Sequence, residues 1–592
     1  MALAPSPPAG STTLEAAWQS RWEEALSIWS RFTKLAEPRW CRTAREEAAE
    51  QLTGSFAMIR LTDHAVVISL RQVIEYKVEP FPMEILAHEI GHHVYAPGDL
   101  RDNARLIVRI RAGLPTQEQK AGYVANLYTD LLINDRLQRQ AGLDMAGVFK
   151  KLKTPTTSQV WTLYMRIYEV LWSLPAGTLV DGQVESRIRS DAGLGARVVR
   201  HYAKDWLDGA GRFAALFLPY LIAEQENIYQ TLSAPWLDTQ NAGAGEEIPD
   251  GLAGIEDNEK NGAIHPSEDP ELSGVDRMDE NDSSRPQAGR REEIGGRREQ
   301  YRSPQEYSEI MKSLGVKIPE KELVARYYRE RAVPHLIRFP AKIVPEATDP
   351  LPEGLENWET GAPLADLDWT ESLIRSPKVI LGVTTVQRTY GADAGSQPER
   401  RPVDLYLGVD CSGSMSNPAY NLSYPVLAGT IICLSALRAG AKVMVTLSGE
   451  PGEYNSTPGF IRDEKEILNV LTGYLGTGYS FGIARLKATF LKGEKLQRPV
   501  HILIVTDSDI FSMLKETKNG WEIAGQALEI SGGGGTFVLN ISLGYWEKEI
   551  ESLKAIGWNV HQVTGWEEMI AFARAFAKMQ YDRTGSDLRS KG

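Results

Sequence analysis

From Val403 onward the chain alternates apolar runs with helical patterns, and no other feature restricts its fold as much. Val403-Asp-Leu-Tyr-Leu-Gly-Val, Lys442-Val-Met-Val-Thr-Leu, Val500-His-Ile-Leu-Ile-Val-Thr, Thr536-Phe-Val-Leu-Asn-Ile and Trp558-Asn-Val-His-Gln-Val read as strands. Tyr424 to Leu437, Asp463 to Tyr474, Phe481 to Leu491 and Trp521 to Ile530 read as helices between them, and Trp566 to Met579 closes the series. Strands this apolar are buried on both faces, and strand–helix alternation specifies a parallel sheet covered on both sides. The expectation over 402–592 is an α/β, Rossmann-like doubly wound domain.

The chain has 592 residues, enough for several domains. Residues 12–241 predict a mainly helical α+β domain. Leu14, Trp18, Trp22, Leu26 and Trp29 recur at helical spacing, while Phe56–Leu61 and Val66–Leu70 flank Thr62-Asp-His as a hairpin would. Over 242–302 the composition shifts. Between Glu246 and Asp282 carboxylates crowd against only Lys260 and Arg277, with no aromatic residue, which predicts a disordered acidic linker. Residues 303–401 predict helix and then a Pro-rich connector carrying Pro334, Pro340, Pro345, Pro350, Pro352 and Pro363.

The first chemical motif lies in Met83-Glu-Ile-Leu-Ala-His88-Glu89-Ile-Gly-His92-His93. On a helix, His88 and His92 project from one face and can reach one zinc ion. Glu89, one step round, can take a proton from a water that the metal activates. This is the chemistry of peptide hydrolysis with Glu89 as general base. A third ligand is required. Asn126, Asp130 and Asn134 form a polar stripe at i, i+4 and i+8 on an otherwise apolar helix, so Asp130 is the candidate, with Asn126 and Asn134 supporting the ligands. Asp135 and Asp99 compete for that role, the first beside Arg136 as on a helix surface, the second in a Pro-Gly-Asp turn. His64 and His93 read as structural. The hairpin before the helix would offer an edge strand to an extended peptide.

The second motif follows the strand at Val403. Asp410-Cys-Ser412-Gly-Ser414 sets one carboxylate and two hydroxyls at the carboxyl edge of the sheet, and the strand from Val500 delivers Asp507 to the same edge. Hard oxygen donors of low total charge suit Mg²⁺ with retained waters.

His88-Glu89-x-x-His92 with Asn-x-x-x-Asp-x-x-x-Asn resembles the zincin-like metallopeptidase modules found before von Willebrand factor A domains in bacteria, over about residues 50 to 140. The Asp410-Cys-Ser412-Gly-Ser414 motif resembles the metal-ion-dependent adhesion site (MIDAS) of von Willebrand A domains, over about 400 to 580. That resemblance implies a further hydroxyl from the loop Leu475-Gly-Thr477-Gly-Tyr479-Ser480. Tyr479 stands where a Thr is usual, so Thr477 or Ser480 must substitute. It also implies a partner that offers a carboxylate to the Mg²⁺ ion. The combination resembles partners of MoxR-type AAA ATPases. Two functions follow as expectations: a zinc metallopeptidase whose adhesion-type domain recruits a partner, or a non-catalytic substrate adaptor for such an ATPase with zinc as scaffold.

Other classes are set aside. A formal charge of −13 argues against nucleic acid and anionic membranes as partners. Three scattered cysteines fit a reducing compartment, the N-terminus lacks a secretory pattern, and Pro425 to Leu437 is too short to span a bilayer, so a cytoplasmic location is expected. No G-x-x-x-x-G-K-S/T loop is present, so the chain is not expected to hydrolyse ATP itself.

Overall fold

The computed structural model describes residues 11–224, 249–256, 259, 262–273 and 301–576, apart from short breaks at 53–54, 154–156, 182–184, 345–347, 395–398, 451, 479–481, 494 and 543. The chain divides into two units, Met1–Glu330 with Ala419–Asn421, and Arg331–Pro418 with Leu422–Gly592. Among the described residues no helix is long and apolar enough to cross a membrane.

In the first unit the tryptophan-rich face becomes two helices, Ser11–Gln19 and α1 (Trp22–Trp29), which bury Trp18, Trp22, Leu26 and Trp29. A three-stranded sheet follows, made of β1 (Arg39–Cys41), β2 (Ala57–Ile59) and β3 (Val66–Ser69) in the order β1-β3-β2. β2 and β3 form the expected antiparallel hairpin, with Ala57 opposite Ile68, and β1 adds in parallel on the other side of β3. The remainder is helical: α2 (Pro82–Val94), α3 (Leu100–Ala112), α4 (Ala121–Arg136), α5 (Gln159–Leu171), α6 (Ser186–His201) and α7 (Trp206–Ala223).

α2 begins with Pro82, whose missing N–H costs nothing in a first turn. Its Gly91 lets two neighbours close in. A Cβ there would meet Trp29 Cζ2 at 2.6 Å and Ile133 Cγ2 at 2.7 Å, so α1 and α4 pack directly against the α2 backbone. The Trp29 indole is fixed by a 2.7 Å hydrogen bond to the Ala87 carbonyl.

Parts of the acidic stretch 242–302 depart from the expected disordered linker. Glu256 pairs with Arg105 at 2.7 Å and Arg109 at 2.6 Å, and Asp269 with Arg212 at 2.5 Å and the Tyr202 hydroxyl at 2.7 Å. Arg302 pairs with Glu259 and carries the backbone of the segment beside it. Composition counts the solvation of these carboxylates but not the arginines that meet them from remote positions in the sequence. The rest of that stretch, including Arg290, Arg291, Arg297 and Arg298, lies outside the described residues.

In the second unit the Pro-rich region differs from a bare connector. β4 (Ala341–Val344) pairs with β8 (Glu399–Pro402), and β5 (Thr348–Asn357), β6 (Leu367–Asp368) and β7 (Val386–Ala394) form an antiparallel sheet in the order β5-β7-β6. Pro350 and Pro352 sit on its edge strand, where a missing donor is tolerated. The alternating region gives β9 (Asp404–Asp410), β10 (Val443–Ser448), β11 (Tyr454–Ser456), β12 (Val500–Asp507), β13 (Gly532–Asn540) and β14 (Asn559–Val563) in the order β11-β10-β9-β12-β13-β14. All pairs are parallel except the β10–β11 edge. Every residue of β9 is buried, as both-face coverage requires. Tyr406, Ile502, Ile504 and Phe537 pack on one face with Leu486, Ile523 and Ala527, while Leu407 on the other meets Gly429 of α8 (Tyr424–Arg438).

Candidate metal centres

His88 and His92 stand one turn apart on α2 and Asp130 faces them from α4, where Asn126, Asp130 and Asn134 are all 0–2% exposed. His88 Nδ1 lies 2.7 Å from Asn134 Oδ1, and His92 Nδ1 lies 3.0 Å from the Ala96 carbonyl. Both acceptors only accept, so each Nδ1 carries a proton, and a neutral imidazole held this way turns its Nε2 lone pair to the other ring. The two Nε2 atoms are 3.2 Å apart, and Asp130 Oδ1 lies 3.5 Å from that of His92 and 3.9 Å from that of His88. Asn126 donates to the other carboxylate oxygen at 3.0 Å, which leaves Oδ1 turned to the histidines.

Donors about 2.0–2.1 Å from a tetrahedral zinc stand about 3.3–3.4 Å from one another. The His88–His92–Asp130 triangle therefore fits such an ion, and it is the one group of three or more potential ligands of this kind among the described residues. The competitors are occupied elsewhere. Asp135 takes Arg139 in a two-pronged ion pair at 2.6–2.9 Å, and Asp99 caps α3 by accepting from the Asp102 N–H at 2.8 Å. His64 and His93 pack ring against ring, with centroids 4.2 Å apart. Glu89 is buried at 2% exposure in the same turn as His88.

Two supports carried no sequence signal. The Ala96 carbonyl is a backbone acceptor, and the Tyr168 hydroxyl, which accepts from Asn134 Nδ2 at 2.9 Å, comes from α5, 34 positions away. Tyr168 belongs to an aromatic stack with Tyr164, Phe149 and Trp172, at centroid distances of 5.0, 4.6 and 4.6 Å.

In the second unit Asp410 ends β9 and Asp507 ends the adjacent β12, at the point where the chain leaves the sheet centre in opposite directions. Ligands of open parallel sheets collect at such a switch point. Asp410 Oδ1 accepts from the Ser412 N–H at 2.9 Å and Oδ2 from the Thr506 hydroxyl at 3.1 Å, a contact the sequence reading missed. Ser412 Oγ lies 3.0 Å from Ser414 Oγ, which lies 3.1 Å from Asp507 Oδ2. Neighbouring ligands of an octahedral Mg²⁺ are about 3.0 Å apart, so these oxygens fit that ion. Burial pushes the Asp410 carboxyl up to about 6 and the Asp507 charge adds to it, against hydrogen bonds from Ser412 and Thr506. A divalent cation would offset that cost.

Thr477 pairs by backbone with the motif, as a bridge to Ser412 and a 2.6 Å bond from the Gly413 N–H to its carbonyl. Its hydroxyl accepts from the Glu450 N–H at 2.9 Å, which turns it to a neighbouring loop. Ser480 lies outside the described residues. Compared with the families of known proteins, with curated proteins and with solved structures, the chain matches none.

Proposed function

We infer that this chain is a zinc-dependent metallopeptidase with a Mg²⁺-dependent partner-binding domain. The observation that carries the reading is the triangle of His88 Nε2, His92 Nε2 and Asp130 Oδ1, with each ligand held from behind, beside a buried Glu89. Zinc held there would supply Lewis acidity toward a peptide carbonyl and lower the pKa of a water. Within the chain, Asn134 and the Ala96 carbonyl orient the imidazoles, Asn126 orients Asp130, and Glu89 is the proton acceptor. The helix with its preceding hairpin supports a zincin-like assignment for the first unit. Strand order with an antiparallel edge, together with Asp410, Ser412, Ser414 and Asp507, supports a von Willebrand A domain for the second. Its partner would present a carboxylate to the ion; a MoxR-type AAA ATPase is the partner we favour.

One observation favours a second reading. His88 is the most exposed of the three at 11%, and β2, the edge strand of the hairpin, is buried along its length at 0–2% exposure. Little of either is open to a peptide. A zinc site kept as scaffold within a substrate adaptor for the ATPase accounts for that closure.

The experiment is metal analysis and peptide cleavage on wild type and Glu89→Gln. About one equivalent of zinc in both, with cleavage in wild type alone, supports the peptidase. Zinc in both with no cleavage of a peptide library or of a captured partner supports the adaptor. Absence of zinc from both removes either reading.

A further inference from the structure

We propose that the first unit also carries a binding pocket for a small organic anion with a flat apolar body, on the side of α4 turned away from the metal centre. The pocket has a volume of about 500 Å³. Its α4 residues Leu132, Asp135 and Arg136 follow Asp130 by steps that place them roughly 120–160° round the helix from that residue, and Arg139 follows in the next turn of chain. It is therefore a separate site from the metal centre. Tyr95, Lys204 and Trp206 complete the walls that matter.

The charges there do not cancel. Asp135 is engaged by Arg139, which leaves Arg136 and Lys204. Arg136 lies over the rings of Trp29 and Tyr95, at 5.2 and 5.5 Å, which fix its guanidinium without neutralising it. Neither Arg136 nor Lys204 has a carboxylate partner among the described residues. Two cations without an ion-pair partner among the described residues thus line one pocket in a chain of net charge −13.

The adjoining cleft, about 410 Å³, shares Lys204 and Trp206 and makes the contrast. There Arg105 and Arg109 are met by Glu256 of the acidic segment. In the pocket behind Asp130 the one lining carboxylate, Asp135, is taken by Arg139, and Arg136 and Lys204 are left to the pocket. An anionic head, carboxylate or phosphate, fits Arg136 and Lys204. Leu132 and the Trp206 indole suit a ring or comparable apolar body.

Calorimetric titration of the full chain with phenyl phosphate, benzoate and inorganic phosphate tests this and separates the two head groups. The expected result is saturable one-to-one binding of at least one aryl anion, about tenfold or more tighter than inorganic phosphate. Arg136→Gln and Lys204→Gln, both at exposed positions, should each weaken it about tenfold, while Lys312→Gln, on an exposed side chain of the same unit, should not. The tighter of the two aryl anions identifies the head group. Failure of both to bind at millimolar concentration, binding that survives both pocket substitutions, or equal binding of inorganic phosphate overturns the proposal.

Discussion

Asn134 accepts from His88 Nδ1 on its side-chain carbonyl oxygen at 2.7 Å and donates its own amide N–H to the Tyr168 hydroxyl at 2.9 Å. The imidazole is thus held by an amide that is itself held, and the orientation of His88 depends on residues behind it.

Replacing Asn134 by Ala should lower zinc affinity by about 10–100-fold while leaving the stoichiometry at saturating zinc unchanged. Competition against a chelator of known affinity measures it. An unaltered affinity would mean that His88 is oriented by something else.

Asp130→Ala should lose most of the zinc, whereas Asp135→Ala and Asp99→Ala should keep it, because those two carboxylates hold Arg139 and the start of α3. Metal content after gel filtration decides. Loss of zinc in Asp135→Ala with retention in Asp130→Ala would reverse the assignment.

Gly91→Ala should destabilise the first unit by about 1–3 kcal/mol through overpacking against Trp29 and Ile133. The indole cannot swing aside without breaking its bond to the Ala87 carbonyl. Denaturant melts of the metal-free chain read this directly, and a melt equal to wild type would show that α1 yields.

Asp410→Ala should abolish Mg²⁺-dependent capture of the partner while leaving zinc content as in wild type. Capture in Mg²⁺, in chelator and with the variant is compared; equal recovery in all three would make the motif structural.

Acid should loosen the acidic segment. Burial alone would raise Glu256 and Asp269, but Arg105 and Arg109 outweigh it for the first, and the Tyr202 hydroxyl and Arg212 for the second, so both carboxyls lie below their ordinary range. Depressed folded values mean that the stabilisation is present above the unfolded pKa of about 4 and is lost as pH falls through the folded values. The acid limb of a melting-temperature profile should be shallower in a Glu256→Gln, Asp269→Asn double variant than in wild type. Identical limbs would assign the acid sensitivity to other groups.

What the sequence disclosed follows its periodicities. His88 with His92 and Asn126 with Asp130 and Asn134 were readable because helical spacing puts each set on one face, and β9 because Leu405 to Val409 form an unbroken run without a charged residue. Ala96 was not, since any residue offers a carbonyl. Tyr168 was not, since its position depends on how α5 docks. The ordering of Glu256 and Asp269 was hidden for a related reason: Arg105, Arg109 and Arg212 are unremarkable helix residues until α3 and α7 present them. Pro350 and Pro352 suggested a connector because proline is poor in strands, and the edge position that admits it appears only once β7 is paired.

The aromatic cluster behind Asn134 would give the proposed metal centre a built-in optical reporter. Tyr168 holds the amide through its hydroxyl and packs its ring on Phe149 and Trp172. A rotation of His88 on zinc loading would therefore be relayed within two contacts to buried aromatic chromophores. The near-ultraviolet dichroism of the unlabelled protein should change on zinc addition and on chelation, so occupancy can be followed in real time without a substrate.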